Sequence, residues 1–168
     1  MQFDEYVRMQ RPALMRFATV LTGRTWLAED VVSDVLGRAF ERWDRIGETD
    51  QPHAYVRRMV VNEYLSWQRR AKRHAPLDDE PGAPVPDGAA ERAERAAMIH
   101  LLDRLPRRQR AAVVLRYYAG LSDEEVAAEL GCRASTVRSQ ISRALAALRI
   151  DINDTAGAYP APTVLEIR

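Results

Sequence analysis

The chain has 168 residues, 46% hydrophobic and 29% charged, enough for one domain or for two small helical ones, each burying a modest core. A single cysteine, Cys132, excludes an internal disulfide, and His53, His74 and His100 are too scattered to suggest a metal-ligand cluster; no apolar run is long enough to cross a membrane, so a cytoplasmic location is expected. The net charge of +1 conceals two basic blocks, +5 over residues 51–76 and +5 over residues 95–150, separated by −5 over residues 77–94. Since local charge drives counterion release, two basic blocks on separate helical units suggest two contacts with a polyanion.

From Phe3 to Leu21, Phe3, Tyr6, Val7, Leu14, Phe17, Ala18 and Leu21 approximate one helical face, with Pro12 as a break or a new start. Thr22 and Gly23 punctuate the chain, and Thr25 is the expected N-cap of a second helix, with Glu29 and Asp30 near its positive end. Ala28, Val32, Val35, Leu36, Ala39, Trp43 and Ile46 form a continuous stripe on it, opposite a face carrying Glu29, Ser33, Asp34, Arg38, Glu41 and Arg42. Such a face is usually only solvated, and a partner-binding role needs further support.

The segment from Asp44 to Pro52 reads as a loop, and Pro52 opens a third helix. There Tyr55, Val56, Met59, Val60 and Tyr64 lie near one side, while Arg57, Arg58, Asn62, Arg69, Arg70, Lys72 and Arg73 supply a basic flank. Aromatic rings among arginines suit single-stranded nucleic acid, because rings stack on unpaired bases while guanidinium groups follow phosphates. Trp67 fits either a stacking platform or core, and Tyr55 is expected in the core. Residues 75–90, rich in proline and acids, read as a flexible linker. About 22 extended residues reach roughly 70 Å, so the two halves can hold separate DNA sites.

A helix over about 92–105 should turn Ala96, Ile99, Leu102 and Leu105 inward. Pro106 starts another, with Val113, Val114 and Tyr117 facing a core and Gly120 closing it. The stretch from Leu121 to Arg149 then reads as a helix-turn-helix. Ser122 and Glu125 form an S-x-x-E capping box, Val126, Ala127 and Leu130 mark an inner face, and Gly131 permits a sharp turn. Ser135 is the expected N-cap of the second helix, which buries Val137, Ile141, Ala144, Leu145 and Leu148 and leaves Thr136, Arg138, Ser139, Gln140 and Arg143 on or beside the outward face. Cys132, in the turn, reads as a small, partly buried residue rather than a redox sensor. Beyond Arg149 the helical period lapses.

These residues resemble the extracytoplasmic-function (ECF) sigma factors of the sigma-70 family. Ala28-Glu29-Asp30-Val31-Val32 and Ala39-Phe40-Glu41-Arg42-Trp43 are similar to the family's core-binding helix. Pro52, Tyr55, Arg57, Asn62 and Arg69-Arg70 fall where its minus-ten helix has related residues. Arg116 through Leu121, Glu125-Val126-Ala127, Leu130-Gly131-Cys132 and Thr136-Val137-Arg138-Ser139 resemble its minus-thirty-five reader. The sequence departs from the family at Ser33 and Leu36, where Gln and Phe are common, and at Arg133, Ala134 and Gln140, where Pro, Val and Arg are frequent.

The resemblance implies an all-α chain of two small helical domains: sigma domain 2 over 1–73, a linker over 74–91, sigma domain 4 over 92–150 and a tail over 151–168. It implies that Glu29, Asp30, Asp34 and Arg38 bind the RNA polymerase core, at the beta-prime clamp helices, with the beta subunit as a further partner. Arg57, Arg58, Asn62, Trp67, Arg69 and Arg70 would meet minus-ten promoter DNA, with Gly47, Glu48 and Thr49 in the loop where the family captures a flipped base. Arg133, Ser135, Thr136, Arg138, Ser139, Gln140 and Arg143 would meet minus-thirty-five DNA. No cofactor, metal or catalytic residue is expected, and an anti-sigma factor is a common partner in this family. A free-standing helix-turn-helix regulator would explain residues 95–149 equally well but leaves the acidic helix and the aromatic-basic helix unexplained, and a partner-binding adaptor would need no DNA-reading surface.

Overall fold

The structure, a computed structural model, describes residues 1–67 and 89–155, with the side chains of 93–149 in the second stretch. It is all-α. Residues 75–88 of the linker expected over 75–90, together with Arg69, Arg70 and the end of the tail, lie outside the described residues, while Ala89 and Ala90 already belong to a helix.

Helix α1 (Phe3–Thr22) buries Tyr6, Leu14, Phe17, Ala18 and Leu21 on one face, and Asp4 and Glu5 sit at its positive end. It runs through Pro12 without the expected break, because buried Tyr6 and Leu14 anchor it on both sides. Gly23, at φ +77°, ends it in the left-handed conformation and donates its N–H to the Thr19 carbonyl oxygen at 2.8 Å.

Helix α2 (Thr25–Phe40) begins one residue earlier than expected for a Thr25 cap: Arg24 is the N-cap, and the Thr22 hydroxyl accepts the Arg24 N–H at 3.3 Å. The stripe expected to run unbroken to Ile46 is divided. Helix α2 stops at Phe40, and a one-turn α3 (Trp43–Ile46) follows. The break lets Trp43 turn inward against Phe3 and Tyr6, at ring-centroid distances of 5.2 and 4.7 Å, while its indole N–H donates to the Met1 carbonyl oxygen at 3.0 Å.

Proline at the first position opens α4 (Pro52–Ser66), which sets Val56, Val60, Val61 and Tyr64 against α1 and α2. Tyr55, expected in the core, is 44% exposed, because the buried stripe follows the valines a residue further round the helix.

In the second unit, α5 (Ala89–Asp103) and the turn after it bury Leu102 and Leu105, whereas Ala96 stays exposed. Pro106 caps α6 (Arg107–Val113), which passes into a π turn over Val114–Tyr118. The extra residue in that turn shifts the helical phase, burying Leu115 and leaving Tyr117, expected inside, 60% exposed.

The helix-turn-helix is formed by α7 (Asp123–Leu130) and α8 (Ala134–Thr155), with Gly131 at φ +62° between them. Helix α8 starts ahead of the expected Ser135 cap, since the Arg133 carbonyl already accepts from the N–H of Thr136 and Val137 at 2.9 and 3.1 Å. It also continues past Arg149 to Thr155, beyond the point where the sequence period lapses. The buried apolar residues of α1–α4 and α5–α8 join in one core, with α4 lying against α7 and α1 against the π turn.

Candidate nucleic-acid and protein interfaces

Helix α2 buries Ala28, Val31, Val32, Val35 and Ala39, so helical geometry forces Glu29, Asp30 and Asp34 outward, where all three are exposed. Arg38 lies at the edge of this face and is held in place. Its Nη2 donates to Glu63 Oε2 at 2.6 Å and lies 3.1 Å from Asp34 Oδ2. Glu63, on α4, is only 5% exposed, so its carboxylate fixes the Arg38 fork from below. Phe40 continues the same surface at 64% exposure, resting on Phe3 with centroids 5.1 Å apart. Phe40 belongs to the stretch that resembles the family's core-binding helix, whereas Glu63 was not singled out in the sequence, although it is the sole acid in residues 51–76.

On α4, Arg58 and Asn62 are exposed, whereas Arg57 is turned inward toward the second unit. Arg57 donates Nε–H to Oε1 of Glu129 on α7 at 2.9 Å, and its Nη2 bonds the same oxygen. Trp67 is half-buried: its ring packs edge-on against Trp26 at 5.9 Å, and the Arg107 guanidinium lies 5.3 Å from its centroid. Arg107 also lies over Tyr64 and donates to the Tyr64 carbonyl oxygen at 3.1 Å.

In the loop, Thr49 donates its hydroxyl to the Ile46 carbonyl at 2.7 Å, and Glu48 is exposed. A Cβ on Gly47 would lie 3.0 Å from both the indole nitrogen and the carbonyl oxygen of Trp43, so a side chain there would press on Trp43.

The helix-turn-helix presents Arg133, in the turn, and Ser135, Thr136, Arg138, Ser139 and Arg143, on α8, to solvent, and Gln140 is half-buried. Val137, Ile141 and Ala144 are buried on α8, which packs against α6 and against α7, whose small Ala127 is also buried. Helix α7 is fixed by the expected capping box: the Glu125 N–H donates to Ser122 Oγ at 3.2 Å, and the Ser122 N–H donates to Glu125 Oε2 at 2.8 Å. Those bonds hold the Glu125 carboxyl below the usual carboxylate range. Asp123, one residue on, lies 3.7 Å from the Arg138 guanidinium and 3.4 Å from that of Arg116.

Between the units a cleft of about 200 Å³ is lined by Arg16, Phe17, His53, Arg57, Tyr118 and Ala119. The Tyr6 hydroxyl lies 3.3 Å from His53 Nδ1. Burial, with a lesser contribution from Arg57, pushes the His53 pKa below its ordinary value, while burial pushes the Tyr6 and Tyr64 hydroxyls up. Among the described residues no group of three His, Cys, Asp or Glu side chains could hold a metal, and no helix is long and apolar enough to cross a membrane.

Residues 6–74 match the sigma-70 region 2 model, and residues 95–148 match sigma-70 region 4. The RNA polymerase sigma-E factor of Streptomyces avermitilis is 39% identical over 153 residues, 90% of this chain and 86% of that protein. The chain belongs to the ECF group of the sigma-70 family. The ECF RNA polymerase sigma factor SigL of Mycobacterium tuberculosis is 31% identical over 160 residues, 90% of this chain and 87% of its own length. Among solved structures, the sigma factor RpoE in complex with the anti-sigma factor NepR, from Bartonella quintana, superposes with a TM-score of 0.71 at 27% identity, covering 90% of this chain and 96% of that one. CnrH in complex with the cytosolic domain of CnrY gives a TM-score of 0.63 at 26% identity, covering 90% of this chain and 88% of that one. Region 2 thus takes in the acidic α2 face and the arginines of α4, and region 4 the polar outer face of α8.

Proposed function

We propose that this sigma-70 family protein binds core RNA polymerase, directs it to promoters and helps open the duplex. The observation that carries the reading is one chain bearing three surfaces in the family's order: the exposed acids of α2, the arginine-bearing α4, and a capped helix-turn-helix with a polar outer face. Glu29, Asp30, Asp34 and Arg38 bind the clamp helices of the beta-prime subunit, Phe40 adding apolar area beside them. Arg57, Arg58, Asn62 and Trp67, with Arg69 and Arg70, contact minus-ten DNA, and Arg133, Ser135, Thr136, Arg138, Ser139, Gln140 and Arg143 contact minus-thirty-five DNA.

Opening needs no covalent chemistry and no cofactor. It follows from differential binding, because stacking and charge contacts favour unpaired bases and offset unstacking costs of a few kcal/mol. The protein therefore acts as a non-enzymatic subunit in the cytoplasm, where polymerase works. A protein antagonist fits the likeness to RpoE, a sigma factor solved with the anti-sigma factor NepR.

Run-off transcription with purified core polymerase tests the reading. Promoter-dependent initiation only when this chain is added is expected. Intact duplex binding without initiation would favour a free-standing regulator, for which the α2 acids have no use.

A further inference from the structure

Among the described residues of the proposed minus-ten contacts, Arg57 is the one whose guanidinium is tied to the second unit, and the tie is a carboxylate. Of the five acids of residues 95–150 (Asp103, Asp123, Glu124, Glu125 and Glu129), two are aimed at arginines of the first unit. Asp103 lies 3.7 Å from Arg24, an exposed pair of little strength, and Glu129 takes Arg57 on a nearly dry contact, the two side chains being 9% and 15% exposed. Two further arginines of α6 dock on helix C-termini of the first unit, where carbonyls lack helical partners: Arg110 on Val20 at 2.9 Å and Arg107 on Tyr64 at 3.1 Å.

We infer that the Arg57–Glu129 pair is an autoinhibitory clasp: Glu129 occupies, in place of a DNA phosphate, the guanidinium that α4 offers to promoter DNA, and holds α7 of the helix-turn-helix over that face. The inference rests on the proposed DNA contact of Arg57.

Its chemistry suits release. A guanidinium fork that would meet a carboxylate or a phosphate in two parallel bonds here converges on Oε1 alone, and Glu129 Oε2 is buried with no partner among the described atoms. A half-satisfied carboxylate held out of water sits close to break-even, since its desolvation offsets much of the attraction to Arg57. A phosphate offers Arg57 a full fork without that penalty, and water satisfies Glu129 once the units part. The clasp therefore favours the closed form while no DNA or polymerase is bound and yields to either. Its cost to DNA binding follows from occupancy: a chain closed nine-tenths of the time binds DNA about ten-fold more weakly than one always open.

The test uses the full chain with Glu129→Gln and Glu129→Arg, small-angle scattering as the shape readout, and anisotropy of a labelled single-stranded oligothymidine as the probe. Both variants are expected to enlarge the radius of gyration and to tighten oligothymidine binding by about three- to ten-fold. The charge swap Arg57→Glu with Glu129→Arg is expected to restore the compact radius, which also guards against a single variant that merely fails to fold. An unchanged radius and unchanged binding in both single variants overturn the clasp. An enlarged radius with unchanged binding overturns its inhibitory role. Failure of run-off transcription alongside a positive shape and binding result would strike the proposed function and leave the clasp standing.

Discussion

The guanidinium of Arg110 donates to the carbonyl oxygen of Val20 at 2.9 Å, tying α6 of the second unit to the last turn of α1 in the first. Helix α1 has no basic residue in its own last turn, so Arg110 supplies the positive charge that its C-terminus lacks. Arg110 is 2% exposed and donates a second bond to Asp103 Oδ1 at 2.7 Å. Gly23 makes room for it: a Cβ there would lie 2.8 Å from Arg110 Nη2.

Arg110→Ala should therefore lower stability by about 2 to 4 kcal/mol, from the buried stem and two lost hydrogen bonds. Gly23→Ala should cost about 1 to 3 kcal/mol, from its positive φ and the clash. In the Arg110→Ala background the clash with Arg110 disappears, leaving a 3.2 Å approach to Asp103 Oδ1 from a side chain freed of its Arg110 bond, so Gly23→Ala should cost little beyond its backbone share, about 1 kcal/mol. Urea denaturation of the four chains gives this cycle. Strict additivity would show that the two residues do not meet.

What the sequence could and could not convey divides along the range of the interaction. The helix-turn-helix was legible in detail, since Ser122, Glu125 and Gly131 act within a few residues of one another. The break after Phe40 was not, because it is set by Trp43 reaching Phe3 and Tyr6 across the fold. The π turn was also missed: apolar period places Tyr117 inward, and only an inserted residue turns it out. Arg110 left a trace, a cation at helical spacing from Val113 and Val114, but its partner Val20 lies ninety residues away in sequence. Arg57 was legible as a basic-flank residue, while its pairing with Glu129 depends on how two units meet, which no local pattern encodes.

Acid should weaken the fold through His53. Its folded pKa is below the ordinary 6.5, so the unfolded chain binds the proton more readily. Stability is then fully present above about 6.5 and is lost as pH falls from there toward the folded value. Arg57 and Arg16 face His53 across the cleft, with Tyr6 and Tyr118 as its neutral neighbours, so no carboxylate lining the cleft stabilises the imidazolium. Melting temperatures at pH 7.5 and 5.5 should differ less in His53→Gln than in the parent. An equal difference would assign the acid sensitivity to other groups.

On the α2 face, Asp30 is exposed and makes no contact that the core depends on. Asp30→Arg should reduce affinity for core polymerase by about ten-fold, through lost attraction and new repulsion, with stability changed by less than about 0.5 kcal/mol. Competition against the parent chain for core polymerase, beside a thermal melt, measures both. Equal affinity would remove Asp30 from the proposed interface.

Arg138 separates a structural role from a DNA-reading one. Its pair with Asp123 spans 3.7 Å between side chains 58% and 24% exposed, so Arg138→Ala should change stability by less than about 1 kcal/mol. A bidentate contact to a base would instead make the substitution cost about 1 to 3 kcal/mol of duplex binding and relax preference at one base pair. A contact to phosphate alone would weaken all sequences alike and lower the salt slope by about one. Binding of Arg138→Ala to a set of minus-thirty-five duplexes at several salt concentrations distinguishes these outcomes. Unchanged binding and unchanged base preference would leave Arg138 only its exposed pair with Asp123.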